Sequence, residues 1–401
     1  MNRPRIFRRS AVALLCAAGL AQAAEIDVMT QNQYLGADLT PVLAAATAVP
    51  FDADAFSAAV VTALQGIAAT RPAERTQALA TLIAHRNPDV VGLQEAYEFG
   101  CAPYPGVPPV AGMGCDDPSI RGAFTDHLAD TVAALAGRYR VVGRVTNMAV
   151  PALPFVVNGM PAVLTVVDRD AILARKAVTA APVDFSALPA CRVSDQGCNY
   201  NTAPPPFSTP LGPIAIERGF LAADLTVRGQ TYRLFNTHLE QRLLAPTLPE
   251  TRLLQVGQAY ELLGMALNTW DGLRKVIVTG DFNSDPADTI PVPPYPPVLP
   301  GPLPLPVVPP YQVFAGSGFT DAWLMQHPDD PGYSCCQAEA LDNRLPAYYE
   351  RIDLIFSFTP PTHVNAVKLL GDRLVDKARP PWRGGLWPSD HASVAAKLHF
   401  D

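Results

Sequence analysis

The stretch KVIVTGDFNSDP, at 275–286, constrains the fold most strongly, because an apolar run ends within it at a defined point. Residues 276–278 are all β-branched, and such a run predicts a buried strand. Gly280 then ends the apolar pattern, and the polar residues Asp281 and Asn283 follow at once. A turn accounts for these two polar residues, and so does a site for a metal ion or a phosphate.

The first hundred residues show a strand, a helical region and a second strand in succession. The segment EIDVMTQNQYL, at 25–35, alternates apolar and polar residues and reaches Asn32, which predicts a strand. Residues 38–86 are rich in alanine with helical spacing, and the Asn87-Pro88 pair ends the helix. The strand DVVGLQEA then ends on Glu95. This order predicts the beginning of a layered α/β sandwich.

Later segments continue the alternation of elements. Their patterns predict a helix at 123–139, strands at 139–145, 162–175 and 349–358, a hairpin at 219–240 and a helix at 249–270. Loops are predicted at 99–122 and 181–213. Residues 286–310 are about half proline, a composition that excludes a helix or a central strand. We interpret this stretch as a surface insertion within one domain, with a partner-binding motif as the alternative.

The first 24 residues have the three parts of a secretory signal peptide. Four arginines precede an apolar run at 11–20, and a small-residue cleavage site, Ala-Gln-Ala, follows at 21–23. The apolar run is too short to span a bilayer. We therefore expect Sec-type export, cleavage near Ala23 or Ala24, and a secreted or periplasmic mature domain at 25–401.

The mature chain is predicted to be acidic. Removal of the four leader arginines lowers the formal net charge from −7 to −11. Such a surface offers no long-range attraction for phosphate backbones, which argues against a general DNA-coating role. It leaves open a local basic pocket.

Six of the seven cysteines lie beyond the leader, an even number that is typical of disulfides in an exported chain. The chain has no CxxC pair, so we do not expect a cysteine zinc site. The adjacent Cys335 and Cys336 are expected to pair elsewhere or to stay reduced, because a bond between neighbours is strained. Two local disulfides are expected across loops: Cys101 with Cys115, and Cys191 with Cys198.

Polar residues stand where the predicted strands begin or end: Asn32, Glu95, His238, Asp281, Asn283, Asp390 and His391. Each alone has an ordinary explanation, such as a capped turn, a satisfied core histidine or an Asx turn. On an extended chain, alternate residues share a face, so Asp281 and Asn283 are predicted to point the same way.

One further carboxylate, Asp353, lies between Ile352 and Leu354 inside an apolar strand. A buried carboxylate is costly unless it is paired, and a histidine paired in this way is a working acid/base unit. The oxygen donors at the strand ends suit a hard cation such as Mg²⁺: Asn32, Glu95 and Asp390. Together these groups fit hydrolysis of a phosphate ester by an activated water.

Seven motifs occur in one order along the chain: MTQNQYLG, DVVGLQEA, FNTHL, VTGDFNSDP, GFTDAW, RIDLIF and SDHASVAAKL. In this order, from about residue 25 to 401, they resemble the motifs of the endonuclease/exonuclease/phosphatase superfamily. The resemblance implies a deoxyribonuclease-I-like α/β (α+β) fold. This is a four-layer sandwich of two packed mixed β-sheets flanked by helices, with the active site at one end of the sheets.

The resemblance also implies roles for the polar residues. Asn32 and Glu95 would bind the metal, with Asp390 nearby as a further ligand. Asp281 would orient or deprotonate the attacking water, and Asn283 would hold that water or the phosphate.

The remaining roles concern the transition state and the substrate. His391, paired with Asp353, would stabilise the pentacovalent transition state. His238 would bind a non-bridging oxygen or assist the leaving group. Arg218, which precedes the GF of its strand, would bind the substrate phosphate.

The expected function is that of a secreted phosphoesterase dependent on Mg²⁺, with Mn²⁺ or Ca²⁺ as alternatives, acting on a phosphodiester. A sphingomyelinase-like lipid phosphodiesterase and an extracellular nuclease are the two branches considered; basic, aromatic-bearing DNA-gripping loops are not identifiable. An inactive binding module on the same fold is the remaining alternative. The expected partner is the phosphoester substrate, as lipid, nucleic acid or small molecule. No obligate protein partner is evident, and we expect a monomer.

Overall fold

The computed structural model describes residues 24–210, 212–242, 250–288, 308–378 and 385–401. The predicted leader, as far as residue 23, and residues 289–307 of the proline-rich stretch lie outside the described residues. Within the described ranges, no single helix is long and apolar enough to cross a membrane. One bent pair, Ala53–Ala69 with Pro72–Arg86, meets the criteria of length and composition alone.

Seventeen strands are found in the described part of the chain. They are β1 Ala24–Asn32, β2 Val90–Gln94, β3 Glu98–Pro103, β4 Tyr139–Val157, β5 Met160–Arg175, β6 Thr179–Pro182, β7 Arg192–Ser194, β8 Gly197–Asn199, β9 Phe207–Thr209, β10 Gly212–Ile214, β11 Gly219–Val227, β12 Gln230–His238, β13 Lys275–Asp281, β14 Thr320–Asp321, β15 Asp353–Ser357, β16 His363–Leu370 and β17 Ser393–Phe400.

Most of these strands belong to two mixed sheets. The first has the order β16-β17-β1-β2-β5-β3, with β4 also paired to β5, and the second has the order β14-β15-β13-β12-β11-β8-β7, with β6 paired to β11. Parallel pairing occurs between β1 and β2 and between β12 and β13. Strands β9 and β10 form a separate hairpin.

Helices flank the two sheets. They are α1 Thr40–Ala46, α2 Ala53–Ala69, α3 Pro72–Arg86, α4 His127–Ala134, α5 Glu250–Asn268, α6 Pro310–Gly316 and α7 Ala322–Gln326. The continuous apolar run of β13 is explained by its packing. Ile277 packs in the core between the sheets, whereas Val276 and Val278 pack in the core that includes α5. Both faces are therefore buried. The predicted four-layer arrangement of two sheets and flanking helices is confirmed.

Several predicted boundaries differ from those in the structure. The helical region at 38–86 is three helices. The break between α2 and α3 occurs because Pro72 begins α3 directly after Arg71, whose φ of 52° is left-handed. The helix expected at 123–139 spans only α4, which starts after Asp126, whose carboxylate accepts a hydrogen bond from the Ala129 N–H. The loop expected at 181–213 contains three short strands, β7, β8 and β9.

Strand lengths also differ from the predictions. The strand expected at 139–145 continues to Val157, because β4 pairs with β5 along its whole length through three register shifts. The strand expected from residue 349 begins only at Asp353. The predicted hairpin is confirmed, since β11 and β12 pair up to Val227 and Gln230 on either side of a turn at Arg228-Gly229.

The two predicted loop disulfides, Cys101–Cys115 and Cys191–Cys198, are confirmed. The expectation for Cys335 and Cys336 was wrong, because these neighbours are joined to each other. The four other cysteines of the described residues pair among themselves, which leaves no different partner for either residue within the described ranges.

A polar network joins the two sheets one level below the strand ends that carry Asn32 and Asp281. The Asn236 amide donates to the Leu93 and Ala171 carbonyls at 2.9 and 3.2 Å, and the Gln94 amide donates to Asn236 Oδ1 at 2.6 Å. Gly92 makes room for this network, because a Cβ atom there would overlap the Asn236 side chain. The spacing between the two sheets at this level therefore depends on a residue without a side chain.

We expect Gly92→Ala to lower the free energy of unfolding by about 1–3 kcal/mol through overpacking. Gly264→Ala, on α5, is the matched control, because a Cβ there meets nothing within 4 Å and alanine favours a helix by up to about 1 kcal/mol. Chemical denaturation of both variants tests the difference. Equal stability of the two variants would contradict the close packing described at Gly92.

Candidate active site

The polar strand ends converge at one edge of the sandwich. Register places Asn32 opposite Gln94, the residue before Glu95. In the second sheet His238 is opposite Asp281, and Asp281 is opposite Asp353. Strands β12 and β13 are parallel, and β15 is antiparallel to them. The ends of β12 and β13 therefore lie level with the start of β15.

Asn32 connects the two sheets at this edge. Its side-chain N–H group donates to Glu95 Oε1 at 3.1 Å and to Asp281 Oδ2 at 3.0 Å, while its Oδ1 accepts from the Tyr34 N–H at 2.9 Å. The second oxygen of Glu95 accepts from the Leu35 N–H at 2.9 Å. One amide thus holds two carboxylates from different sheets at a common site.

His391 and Asp353 form the predicted pair. His391 Nδ1 lies 2.9 Å from Asp353 Oδ2, which also accepts from the Ser334 hydroxyl at 2.6 Å. The opposite ring atom, Nε2, lies 3.8 Å from Asp281 Oδ2 and 3.9 Å from Asp390 Oδ1. Burial lowers the pKa of His391, but the nearby carboxylates, Asp353 first, outweigh it and hold that pKa well above its usual value.

His238 has the opposite electrostatic environment. Its Nδ1 lies 3.1 Å from Arg218 Nη1, and because a guanidinium only donates, Nδ1 is the acceptor and the ring proton is on Nε2. That Nε2 lies 3.6 Å from Asp281 Oδ2 and has no hydrogen-bond partner among the described residues. Burial, followed by the charges of Arg218 and His391, places the pKa of His238 well below its usual value.

Arg218, predicted to bind the substrate phosphate, is itself buried. Its Nη1 contacts His238, and its Nη2 lies 3.4 Å from Glu240 Oε1. In this structure its contacts fix the tautomer of His238, and a phosphate contact remains a prediction.

Asp281 and Asn283 do not share a face as the alternation predicted. Asn283 has a φ of 47°, so the chain is no longer extended there. The Asn283 backbone N–H donates to Asp281 Oδ1 at 2.9 Å, and its side-chain amide donates to the Leu239 carbonyl at 2.9 Å. The Asx turn considered for this stretch is therefore present, and it is part of the site.

Asp281 and Asp390 are carboxylates with raised pKa values. Burial raises the pKa of Asp281 to about 7, against the lowering effect of the charge on His391. Burial raises the pKa of Asp390 to about 6, with the same opposing effect of His391. A carboxylate with a pKa near neutrality is suited to accept a proton from water.

The donor set fits a hard cation. Carboxylate oxygens of Asp281 and Asp353 lie within 4.8 Å of each other, and Glu95 and Asp390 add two more carboxylates to the same edge. Several carboxylates buried together are costly unless a positive charge compensates them. Of the predicted metal ligands, Glu95 and Asp390 offer charged oxygens, while Asn32 directs its N–H group toward Glu95 and Asp281.

The segment at 334–337 touches three residues of the site. Ser334 donates to Asp353, Cys335 Sγ lies 3.6 Å from His391 Nε2, and the Gln337 N–H donates to the Asp390 carbonyl at 2.8 Å. These three contacts depend on pairing between distant parts of the chain, which a local sequence pattern cannot predict.

Sequence reasoning missed two buried carboxylates beside the site, Asp168 and Asp170 on β5. Burial raises the pKa of Asp168 to about 7, with Arg218 lowering it and Glu95 raising it, and burial raises the pKa of Asp170 well above its usual value. The signal was available, because both acids interrupt the apolar strand VVDRDAIL, as Asp353 interrupts its own strand.

Comparison with protein-family models yields no match, and comparison with curated proteins yields none either. Solved structures do match. A truncated TDP2 from Caenorhabditis elegans is 16% identical, covering 94% of this chain and 97% of its own, with a TM-score of 0.43. An endonuclease/exonuclease/phosphatase family protein from Bacteroides thetaiotaomicron is 16% identical, covering 95% and 99%, with a TM-score of 0.49.

A third solved structure, a mannosyl-6-phosphatase from Bacteroides thetaiotaomicron VPI-5482, is 15% identical, covering 94% of this chain and 100% of its own, with a TM-score of 0.49. At these identities a likeness concerns the fold, so the function is inferred below from the geometry of the site.

We expect the two site histidines of the metal-free protein to differ in charge around pH 6.5, where an ordinary histidine titrates. His391 stays protonated there because its pKa is raised, and His238 stays neutral because its pKa is lowered. Imidazole chemical shifts measured by NMR across that pH range report both states.

Arg218→Gln removes a positive neighbour and should move the pKa of His238 upward, whereas Arg121→Gln, at an exposed arginine, should leave it unchanged. Titration of His238 at an ordinary pKa in the unmodified protein would contradict the assigned environment.

Proposed function

We propose that the protein is a divalent-metal-dependent hydrolase of phosphoric esters, acting on a phosphodiester by attack of water. The observation that carries the proposal is the pair of site histidines, whose Nε2 atoms both lie within 4 Å of Asp281 Oδ2. A neutral donor and a cationic donor beside a carboxylate with a pKa of about 7 form a set suited to phosphoryl chemistry.

Asp281 is the proposed general base. Its raised pKa matches proton abstraction from water near neutral pH, and the hydrogen bonds from Asn32 and the Asn283 backbone hold the carboxylate in place. Asn283 is proposed to hold the same water through its side-chain oxygen, or the phosphate through the second hydrogen of its side-chain amide.

The two histidines are proposed to act on the phosphate. His391, kept cationic by Asp353, directs Nε2 toward the site and stabilises the negative charge that develops on the phosphoryl oxygens. His238, with its proton fixed on Nε2 by Arg218, donates to a non-bridging oxygen or to the leaving group. Their different charge states suit these two different tasks.

Glu95 and Asp390 are the proposed metal ligands, with Asn32 positioning Glu95 through its side-chain N–H group, and Mg²⁺ is the proposed ion, with Mn²⁺ and Ca²⁺ as alternatives. When bound, such an ion neutralises charge on the phosphate oxygens. The cluster of buried carboxylates supports this proposal, because hard cations prefer oxygen ligands.

Activity of the purified mature protein should require a divalent cation. We expect hydrolysis of bis-p-nitrophenyl phosphate with Mg²⁺ and its loss with a chelator. Asp281→Asn and His391→Gln should each lower kcat by about 10²–10⁴-fold, as expected for loss of an acid/base group. Asp54→Asn and His85→Gln, at exposed helical positions, are the matched controls and should retain full activity.

Inactivity toward a wide panel of phosphoesters, including plasmid DNA, phospholipids and sugar phosphates, would overturn the proposal. It would favour the inactive binding module instead. Activity restricted to plasmid DNA would support the nuclease branch.

Export is a second proposal, supported by the charge and hydropathy pattern of the first 24 residues and by the two loop disulfides. Mass spectrometry of the protein from its native host should find a mature chain that begins at Ala24 or Glu25, outside the cytoplasm. Recovery of the full chain with its leader from the cytoplasmic fraction would contradict export.

A further inference from the structure

An apolar pocket of about 70 Å³ opens between helices α1 and α2 and the outer part of the β4–β5 hairpin. The described side chains that line it are all apolar. Its floor is buried and its rim is half-buried, so apolar surface is open to solvent. Representative floor residues are Leu64, Phe99 and Leu164, and representative rim residues are Leu39, Ala63 and Ile216.

Two lining residues of the pocket are neighbours of candidate active-site residues. The Phe99 ring stacks on Tyr97 with ring centroids 5.5 Å apart, and the Tyr97 N–H donates to the Glu95 carbonyl at 2.8 Å. On the other side, Ile216 precedes Arg218 by two residues, which places their Cα atoms at most about 7 Å apart. The pocket therefore neighbours the edge of the sandwich at which the phosphate is proposed to bind.

The chemistry of the pocket selects a hydrocarbon. Its lining offers no partner for the hydrogen bonds that water needs, and such apolar cavities stay dry or take apolar guests. Its volume is about half that of the 150 Å³ cavity that admits benzene, so it holds a short length of alkyl chain. A nucleic-acid base would leave its polar edge without partners there.

We propose that this pocket is a subsite for the alkyl chain of the substrate, which makes the preferred substrate a lipid-like phosphodiester with a hydrocarbon chain near its phosphate. The inference rests on the proposed phosphodiesterase function and specifies the substrate class of that same site.

A series of p-nitrophenyl alkyl phosphates, from methyl through propyl to hexyl, tests the subsite with Mg²⁺ present. Each methylene that leaves water for an apolar site strengthens binding about four-fold. We expect kcat/KM to rise by about that factor per methylene over the first few carbons, and then to level off when the pocket is full.

Variants at the rim test whether the pocket causes the dependence of kcat/KM on chain length. Ala63→Phe, on α2, fills the pocket and should remove most of the chain-length dependence while leaving kcat/KM for the methyl ester unchanged. Ala58→Phe makes the same substitution at an exposed position of the same helix and should behave like the unmodified protein. Val42→Asn, which places a polar group at the rim, tests the same point if Ala63→Phe fails to fold.

The outcomes distinguish the subsite from the proposed hydrolase. Hydrolysis of the methyl ester with no gain from longer chains overturns the subsite and leaves the hydrolase standing. An unchanged chain-length dependence in a folded Ala63→Phe also overturns it.

Calorimetric binding of methyl phosphate and hexyl phosphate tests the subsite in the case that no ester is hydrolysed. Tighter binding of the hexyl compound, lost in Ala63→Phe, supports the subsite even if no ester in the series is hydrolysed. Preference for a dinucleotide over the hexyl ester overturns the lipid-like substrate class.

Discussion

The side-chain amide of Asn32 holds the site together. It donates to Glu95 from the first sheet and to Asp281 from the second, so two carboxylates that would repel each other share one neutral donor. The Asn236 network lies one level below and fixes the distance between the same two sheets. The geometry of the site is therefore a property of sheet packing, which is stiffer than any loop.

Residues of the same type have different roles here because their neighbours differ. His391 faces carboxylates and stays charged, whereas His238 faces a guanidinium and stays neutral. Both rings are buried, so burial acts on them in the same direction, and the sign of the adjacent charge decides the outcome. Arg218 thus influences the chemistry without needing to touch a substrate.

Much of the fold followed from local patterns, but parts of the site did not. The apolar runs of β13 and β15 and the acid inside RIDLIF indicated buried strands and a paired Asp353, because burial and pairing costs are local properties of the residues. The turn at Asn283, the Cys335–Cys336 bond and the contacts of Ser334 depend on tertiary packing. Asp168 and Asp170 also interrupt an apolar strand, as Asp353 does, but the sequence did not identify a histidine partner for them.

The segment at 334–337 belongs to neither sheet, yet it contacts Asp353, His391 and Asp390. One part of the site is therefore positioned by the packing between the sheets, and another part by a connection outside them. Ser334 and Cys335 of that connection are fully buried, so a change in the length of the chain between α7 and β15 would alter the alignment of the His391 imidazole.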